Sequence, residues 1–298
     1  MKRFKLQLSD GLMILAVVIW GLNFSLIKIS LKEIPPMPFN GIRLLLTSLV
    51  LLLWFLKVEG NFKVEKAHLP KIILLAISGH TIYQYIFISG INLTTASNTA
   101  VIFGLAPILI SLFSSFSKHE KLNRFGWMGI LLGFAGVYLI ISGKSGGFTL
   151  SSQTLKGDLI ILAAVILWAH YSVSAKPLLR IYSPLKFTTL TMTIGALLFF
   201  PFSLGQLKSL PFPEISFKAW LCLAYSGIMA LSVGLIIWFF SVQRVGNSQT
   251  AVYANLPVVF AVIFAWMILS EKIPLSLIIG AAIILGGIFL THLGRSKT

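Results

Sequence analysis

His80, Tyr83 and Gln84 stand at i, i+3 and i+4 within a long apolar stretch, so on a helix they share one face. An ionisable side chain at membrane depth is a functional-site candidate, because lipid tolerates it poorly. Imidazole, phenol and carboxamide together offer donors, acceptors and an aromatic face, as a polar solute requires. A neutral histidine bonded between helices is the competing reading. Trp20 and Trp168 both fall in the middle of apolar blocks, where the interfacial belt does not explain them. They either pack in the core or form an aromatic wall. Asn23, one turn beyond Trp20, could bond a solute or a neighbouring helix. His170 lies between Trp168 and Tyr171, and an interhelical hydrogen bond would account for it equally.

Pro107 and Pro257 each remove a backbone donor, freeing the carbonyls of Phe103 and Tyr253. Such carbonyls could face a cavity and accept an ammonium; the alternative is an ordinary kinked membrane helix. Lys28 and Lys176 each follow a tryptophan by eight residues. Either they snorkel to headgroups, or each puts a cation at a cavity mouth to attract a carboxylate. Arg43 is expected to hold helix-end carbonyls rather than solute. Asn98, Tyr253 and Asn255 complete the polar candidates. No Asp or Glu falls at membrane depth; all eight lie in connections or at span ends. Of the groups that titrate near neutral pH, His80 is therefore the first candidate for proton coupling.

These side chains must be carried by membrane helices. Of 298 residues, 57% are hydrophobic and 11% charged, with a mean hydropathy of +0.92. Soluble domains carry about 25% charged residues. Apolar blocks stand at about 10–31, 35–56, 69–90, 95–117, 124–142, 157–179, 184–205, 217–241, 247–269 and 273–293. Each approaches the ~20 residues of a helical span, and none shows the alternation of a barrel strand. The first is too long for a signal-peptide core and is expected to be retained. With the N-terminus inside, inner connections hold 16 Lys and Arg and outer ones 6. Both termini are thus expected in the cytoplasm, and the net charge of +16 reads as basic loops rather than as a nucleic-acid surface. Cys222 is a lone cysteine, without a partner for a disulfide.

The chain also repeats itself. Trp20 returns as Trp168, Ala76-Ile-Ser-Gly79 as Ala224-Tyr-Ser-Gly227, Pro107 and Glu120 as Pro257 and Glu271, and Gly129 and Gly136 as Gly280 and Gly287. The offsets run from 148 to 151 residues. Two units, 9–143 and 157–293, joined by a linker at 144–156, hold five spans each. An odd number of spans inverts the second unit. The expected fold is an all-α membrane protein, ten helices in two inverted five-helix repeats around a central cavity. Glycines 126, 129, 133 and 136, and 280, 286 and 287, form small-residue faces for close helix packing or a homodimer contact.

Trp20-Gly-Leu-Asn-Phe24 with Lys28, the Pro38 to Arg43 stretch, Thr95-Ala-Ser-Asn-Thr-Ala100 leading to Pro107, and Glu120 before a glycine-rich span resemble the EamA domain of the drug/metabolite transporter superfamily. Gly157-Asp158, Trp168, Pro257, Glu271 and Gly287 resemble it again in the second copy. The resemblance implies an inner-membrane carrier, often an exporter of amino acids or other metabolites.

Motifs for other chemistry fail. His119-Glu120 lacks the second histidine of a zinc protease, since that position is Asn123, and Gly143-Lys-Ser145 lacks the first glycine of a phosphate loop, replaced by Tyr138. No cofactor or metal is expected. The expectation is a secondary transporter for a small polar or amphipathic metabolite, an amino acid and among these an aromatic one. It would work by alternating access, in the export direction, with the solute and the lipid bilayer as partners. The alternatives are a multidrug or cation exporter coupled to protons through His80, and a membrane-embedded enzyme.

Overall fold

The structure is a computed structural model, which describes residues 8–116, 121–142, 153–245, 250, 256–293 and 295–296. Helices dominate. The first part of the chain forms α1 (Leu8–Ser30), α2 (Pro36–Val58), α3 (Leu69–Ala76), α4 (Tyr83–Leu93), α5 (Ala96–Phe103), α6 (Ala106–Phe116) and α7 (Arg124–Ser142). The second forms α8 (Gln153–Leu179), α9 (Pro184–Leu207), α10 (Phe217–Tyr225), α11 (Gly234–Val245), α12 (Leu256–Leu269) and α13 (Leu275–Leu293). A two-residue antiparallel pair, β1 (Lys121–Leu122) with β2 (Arg295–Ser296), joins the α6–α7 connection to the stretch after α13. Among the described residues, seven helical runs are long and apolar enough to cross a membrane, and shorter apolar stretches stand at Leu256–Leu269 and Leu275–Gly287. The chain is a multi-pass membrane protein.

Helix boundaries follow local chemistry. Thr95, Ser183 and Ser216 each accept a bond from the backbone N–H three residues on, giving α5, α9 and α10 side-chain N-caps. Pro36 and Pro184 occupy first-turn positions, where their missing N–H costs nothing. Gly60, at φ 63°, closes α2 by donating to the Phe55 carbonyl.

Three runs that hydropathy reads as continuous are interrupted. α5 and α6 are separated by Gly104 and Leu105, with Pro107 in the first turn of α6. Between α3 and α4, and again between α10 and α11, the helix widens into π-helical turns at Ile77–Ile82 and Ser226–Val233. A π-turn bonds i to i+5 and commonly marks a functional site.

α7 packs along α13, α2 along α9, α4 along α8 and α1 along α12. The first pair brings backbones together through glycine: a Cβ on Gly136 would stand 2.7 Å from the Gly280 carbonyl. The glycine faces of these two helices are therefore turned on each other within one chain. At one end of the bundle the Glu33 carboxylate takes the Ser216 N–H at 2.6 Å and its hydroxyl at 2.8 Å. At the other, the Tyr182 hydroxyl meets His68 Nδ1 at 2.9 Å and accepts the Glu65 N–H at 3.1 Å.

Candidate functional site

The helix interruptions surround one cavity. Its wall takes Trp20, Asn23 and Phe24 from α1 and Arg43 from α2. His80 comes from the first π-turn, and Tyr83, Gln84 and Phe87 from α4. Phe103, Trp168, Ala230, Trp238 and Pro257 close it from α5, α8, the second π-turn, α11 and α12. The free space is about 100 Å³. A single water needs roughly 10–15 Å³, so several waters or a small solute can be held.

The apolar wall is a chain of aromatic contacts. Trp238 stands 5.8 Å from Trp20 and 5.9 Å from Trp168, centroid to centroid, and Trp168 is 5.8 Å from Tyr83. Tyr83 stacks on Phe87, and Phe103 lies 5.6 Å from Phe87 and 5.9 Å from Phe24. Two indoles are fixed by their N–H: Trp20 donates to the Ala230 carbonyl at 2.9 Å and Trp238 to the Ser172 hydroxyl at 3.0 Å. Glycine makes room for the first of these rings, since a Cβ on Gly234 would reach 2.6 Å from Trp20 Nε1.

The polar wall is held from behind. His80 is 1% exposed, and its Nε2 meets the Tyr171 hydroxyl at 2.9 Å and the Thr191 hydroxyl at 3.2 Å. Arg43 is also 1% exposed. It donates to Asn40 Oδ1 at 2.5 Å, Gln84 Oε1 at 2.6 Å and Ser226 Oγ at 3.0 Å, joining α2, α4 and the second π-turn. Its guanidinium carbon lies 5.3 Å from the Phe39 ring centroid.

Several expectations are redirected. Arg43 holds side-chain acceptors, not helix-end carbonyls. Lys28 does that instead, its Nζ donating to the carbonyls of Ile91 at 3.1 Å and Thr94 at 2.9 Å, where α4 ends. Asn98 is buried outside the cavity wall, donating to Asp158 Oδ1 at 3.2 Å, and the Thr94 hydroxyl donates to the same oxygen. Asp158 is fully buried because α8 starts at Gln153, more than a turn earlier than the sequence suggests. Tyr171 stands behind His80 rather than in the wall. His170 is exposed, meeting the Ser174 hydroxyl at 3.3 Å, and Lys176 is half-buried away from the wall. Pro107 is buried in α6, with no N–H to offer the Phe103 carbonyl, and Pro257 is buried in the wall. Tyr253, Asn255 and Glu120 lie outside the described residues. Sequence reasoning passed over Trp238 and Ser226.

A second polar cluster caps α5. Glu271 follows Ser270, whose φ of 54° turns the chain, and accepts the Ala96 N–H at 2.9 Å, the Ser97 N–H at 3.1 Å and the Ser97 hydroxyl at 2.5 Å. Carboxylates are favoured at a helix N-terminus. Among the described residues, no group of three His, Cys, Asp or Glu side chains is arranged to hold a metal.

With this geometry in view, the chain matches the EamA-like transporter family over residues 7–142 and again over 155–293, and it belongs to that family. It is 26% identical to the uncharacterized transporter YoaV of Bacillus subtilis (strain 168), over 94% of this chain and 95% of that one. An uncharacterized transporter of Archaeoglobus fulgidus is 29% identical over 94% and 96% of the two chains. A probable terminal-alkyne amino-acid exporter of Streptantibioticus cattleyicolor is 24% identical over 98% and 97%. A protein of known crystal structure shares the fold, with a TM-score of 0.67 and 20% identity over 96% of each chain.

Proposed function

We propose that this transporter is a secondary carrier exporting a small amphipathic metabolite, an amino acid with an aromatic or large apolar side chain, across the cytoplasmic membrane. The observation that carries this reading is one cavity whose wall is aromatic on one part and bears His80, Gln84 and Arg43 on another. Rings bury the apolar part of such a solute, and the polar cluster receives its head. The name of the Streptantibioticus relative points the same way.

Alternating access suits this architecture. In our reading the ten apolar blocks are ten spans in two inverted repeats, 9–143 and 157–293, with both termini cytoplasmic. Two family matches support it, as do the two π-turns, whose Ser78-Gly79 and Ser226-Gly227 pairs stand 148 residues apart. Oppositely oriented halves can exchange conformations at nearly equal energy and so open a midplane site to either side in turn. A cation exporter is disfavoured by the arginine in the wall.

Purified protein in liposomes should move radiolabelled L-tryptophan or L-phenylalanine down its gradient without ATP and without chemical change. His80→Ala should sharply reduce that flux while the protein still inserts. A panel of amino acids that leaves the label unmoved would refute the reading.

A further inference from the structure

We propose that Arg43 is the anion-recognising group of the cavity, so that the solute must carry a carboxylate. The inference rests on the cavity being the transport site and adds the rule by which it selects.

A guanidinium keeps its charge at any physiological pH and presents five N–H donors. Here three acceptors are engaged, and all of them, Asn40, Gln84 and Ser226, are neutral. Among the described residues no carboxylate forms an ion pair with Arg43, and none lines the cavity. The charge is thus buried at membrane depth without a counter-ion, where a buried cation ordinarily has an anionic partner. Its Nε–H is buried without an acceptor.

Two more wall residues carry the complementary deficit. Asn23 Oδ1, on a side chain 8% exposed, has no donor, and His80 Nδ1, unlike the Nε2 that meets Tyr171 and Thr191, has no partner. Buried polar atoms are almost always paired. All three atoms belong to residues that line one cavity, and a solute bound there can supply their partners. A carboxylate supplies what the Arg43 Nε–H lacks, and what a neutral His80 lacks in the tautomer whose proton is on Nδ1; an ammonium supplies the donor that Asn23 Oδ1 lacks. The Asn40, Gln84 and Ser226 contacts fix the plane of the guanidinium before any solute arrives, which is how an oriented fork gains selectivity. An amine without a carboxylate would meet the same charge with nothing to offer it.

Competition against labelled L-tryptophan uptake in proteoliposomes tests this, using tryptamine, which lacks the carboxylate, and indole-3-propionate, which lacks the ammonium. With the wild-type protein, tryptamine should compete about 10- to 100-fold more weakly than L-tryptophan, the loss of one charge-assisted contact, while indole-3-propionate still competes. Arg43→Gln should collapse the tryptophan-to-tryptamine ratio towards one. If that variant does not fold, Arg43→Lys keeps the charge without the fork and should lower the ratio by weakening L-tryptophan alone. Equal competition by tryptamine in the wild type, or an unchanged ratio in a folded variant, would overturn the role of Arg43 and leave amino-acid transport standing. No uptake of any amino acid would overturn that reading instead.

Discussion

Glu271→Gln isolates the worth of the cap on α5. The carboxylate spreads three bonds over two oxygens, one taking Ala96 N–H and the other taking Ser97 N–H and Ser97 Oγ–H. A carboxamide has one acceptor and one donor end. If its nitrogen faces Ser97, the hydroxyl can turn to accept, but the Ser97 N–H loses its partner; if it faces Ala96, that N–H loses its partner instead. Either way one backbone donor is orphaned beside two buried residues, worth about 1–3 kcal/mol. Loss of the charge at the helix terminus adds roughly 0.3–1 kcal/mol. A total near 2 kcal/mol corresponds, at the ~2–4 °C per kcal/mol of larger domains, to a melting temperature about 4–8 °C lower. Tryptophan fluorescence of purified protein in detergent during a thermal ramp reads this directly. Ser97→Ala alone should cost less, since it removes one bond and orphans no backbone group. Combined with Glu271→Gln it should depart from the sum, because both changes alter the same hydroxyl contact. Strict additivity, or an unshifted melting curve for Glu271→Gln, would show that the carboxylate does not hold this helix end.

Other perturbations bear on separate features. The Ser216 N–H and hydroxyl hold the Glu33 carboxyl below the usual carboxylate range, with Lys218 adding to the effect. Its contribution is complete above the unfolded-state value and is lost as pH falls through the lower folded value. Melting curves from pH 6 to pH 3 should therefore decline less steeply for Glu33→Gln than for the wild type; parallel curves would contradict this. A Cβ at residue 195 would run into the His80 Cβ, so Gly195→Ala should destabilise by about 1–3 kcal/mol through overpacking, read as a lower melting temperature. Trp20→Phe removes the bond to the Ala230 carbonyl and should speed amide hydrogen exchange across 230–235; unchanged protection would mean that the indole N–H does not steady that turn.

How much of this was legible depended on the residue. Helix existence followed from apolar run length, and mid-block position marked Trp20 and Trp168 as aromatic wall candidates. The π-turns are invisible to hydropathy, because widening a turn changes no composition. The repeated Ala-x-Ser-Gly string stands at both places, but a repeated string signals duplication and carries no sign of helix pitch. Asn98 misled because a polar residue in an apolar run has two explanations, solute or partner, and its partner Asp158 is sixty residues distant. Arg43 and Lys28 exchanged roles because sequence gives a charge's depth and not which helix ends there. Trp238 carried no signal, having no aromatic counterpart in the first copy.

The wide turn at Ile77–Ile82 accommodates one residue beyond what an ordinary coil would hold there. Deleting a single residue within it would let the coil relax to its ordinary pitch without shortening the helical rod appreciably. Everything from Tyr83 to Leu93 would keep its place about the axis relative to Leu69–Ala76, because the wide turn and not the flanking coil holds the extra residue. Tyr83, Gln84 and Phe87 would stay in the wall, whereas a one-residue deletion in the ordinary coil on either side would swing them by roughly 100°. A helical wheel drawn at constant period through this segment assigns the wrong neighbours on one side of the turn, and sequence alignments that place a one-residue gap here would be recording the loss of the wide turn with the wall left facing the same way.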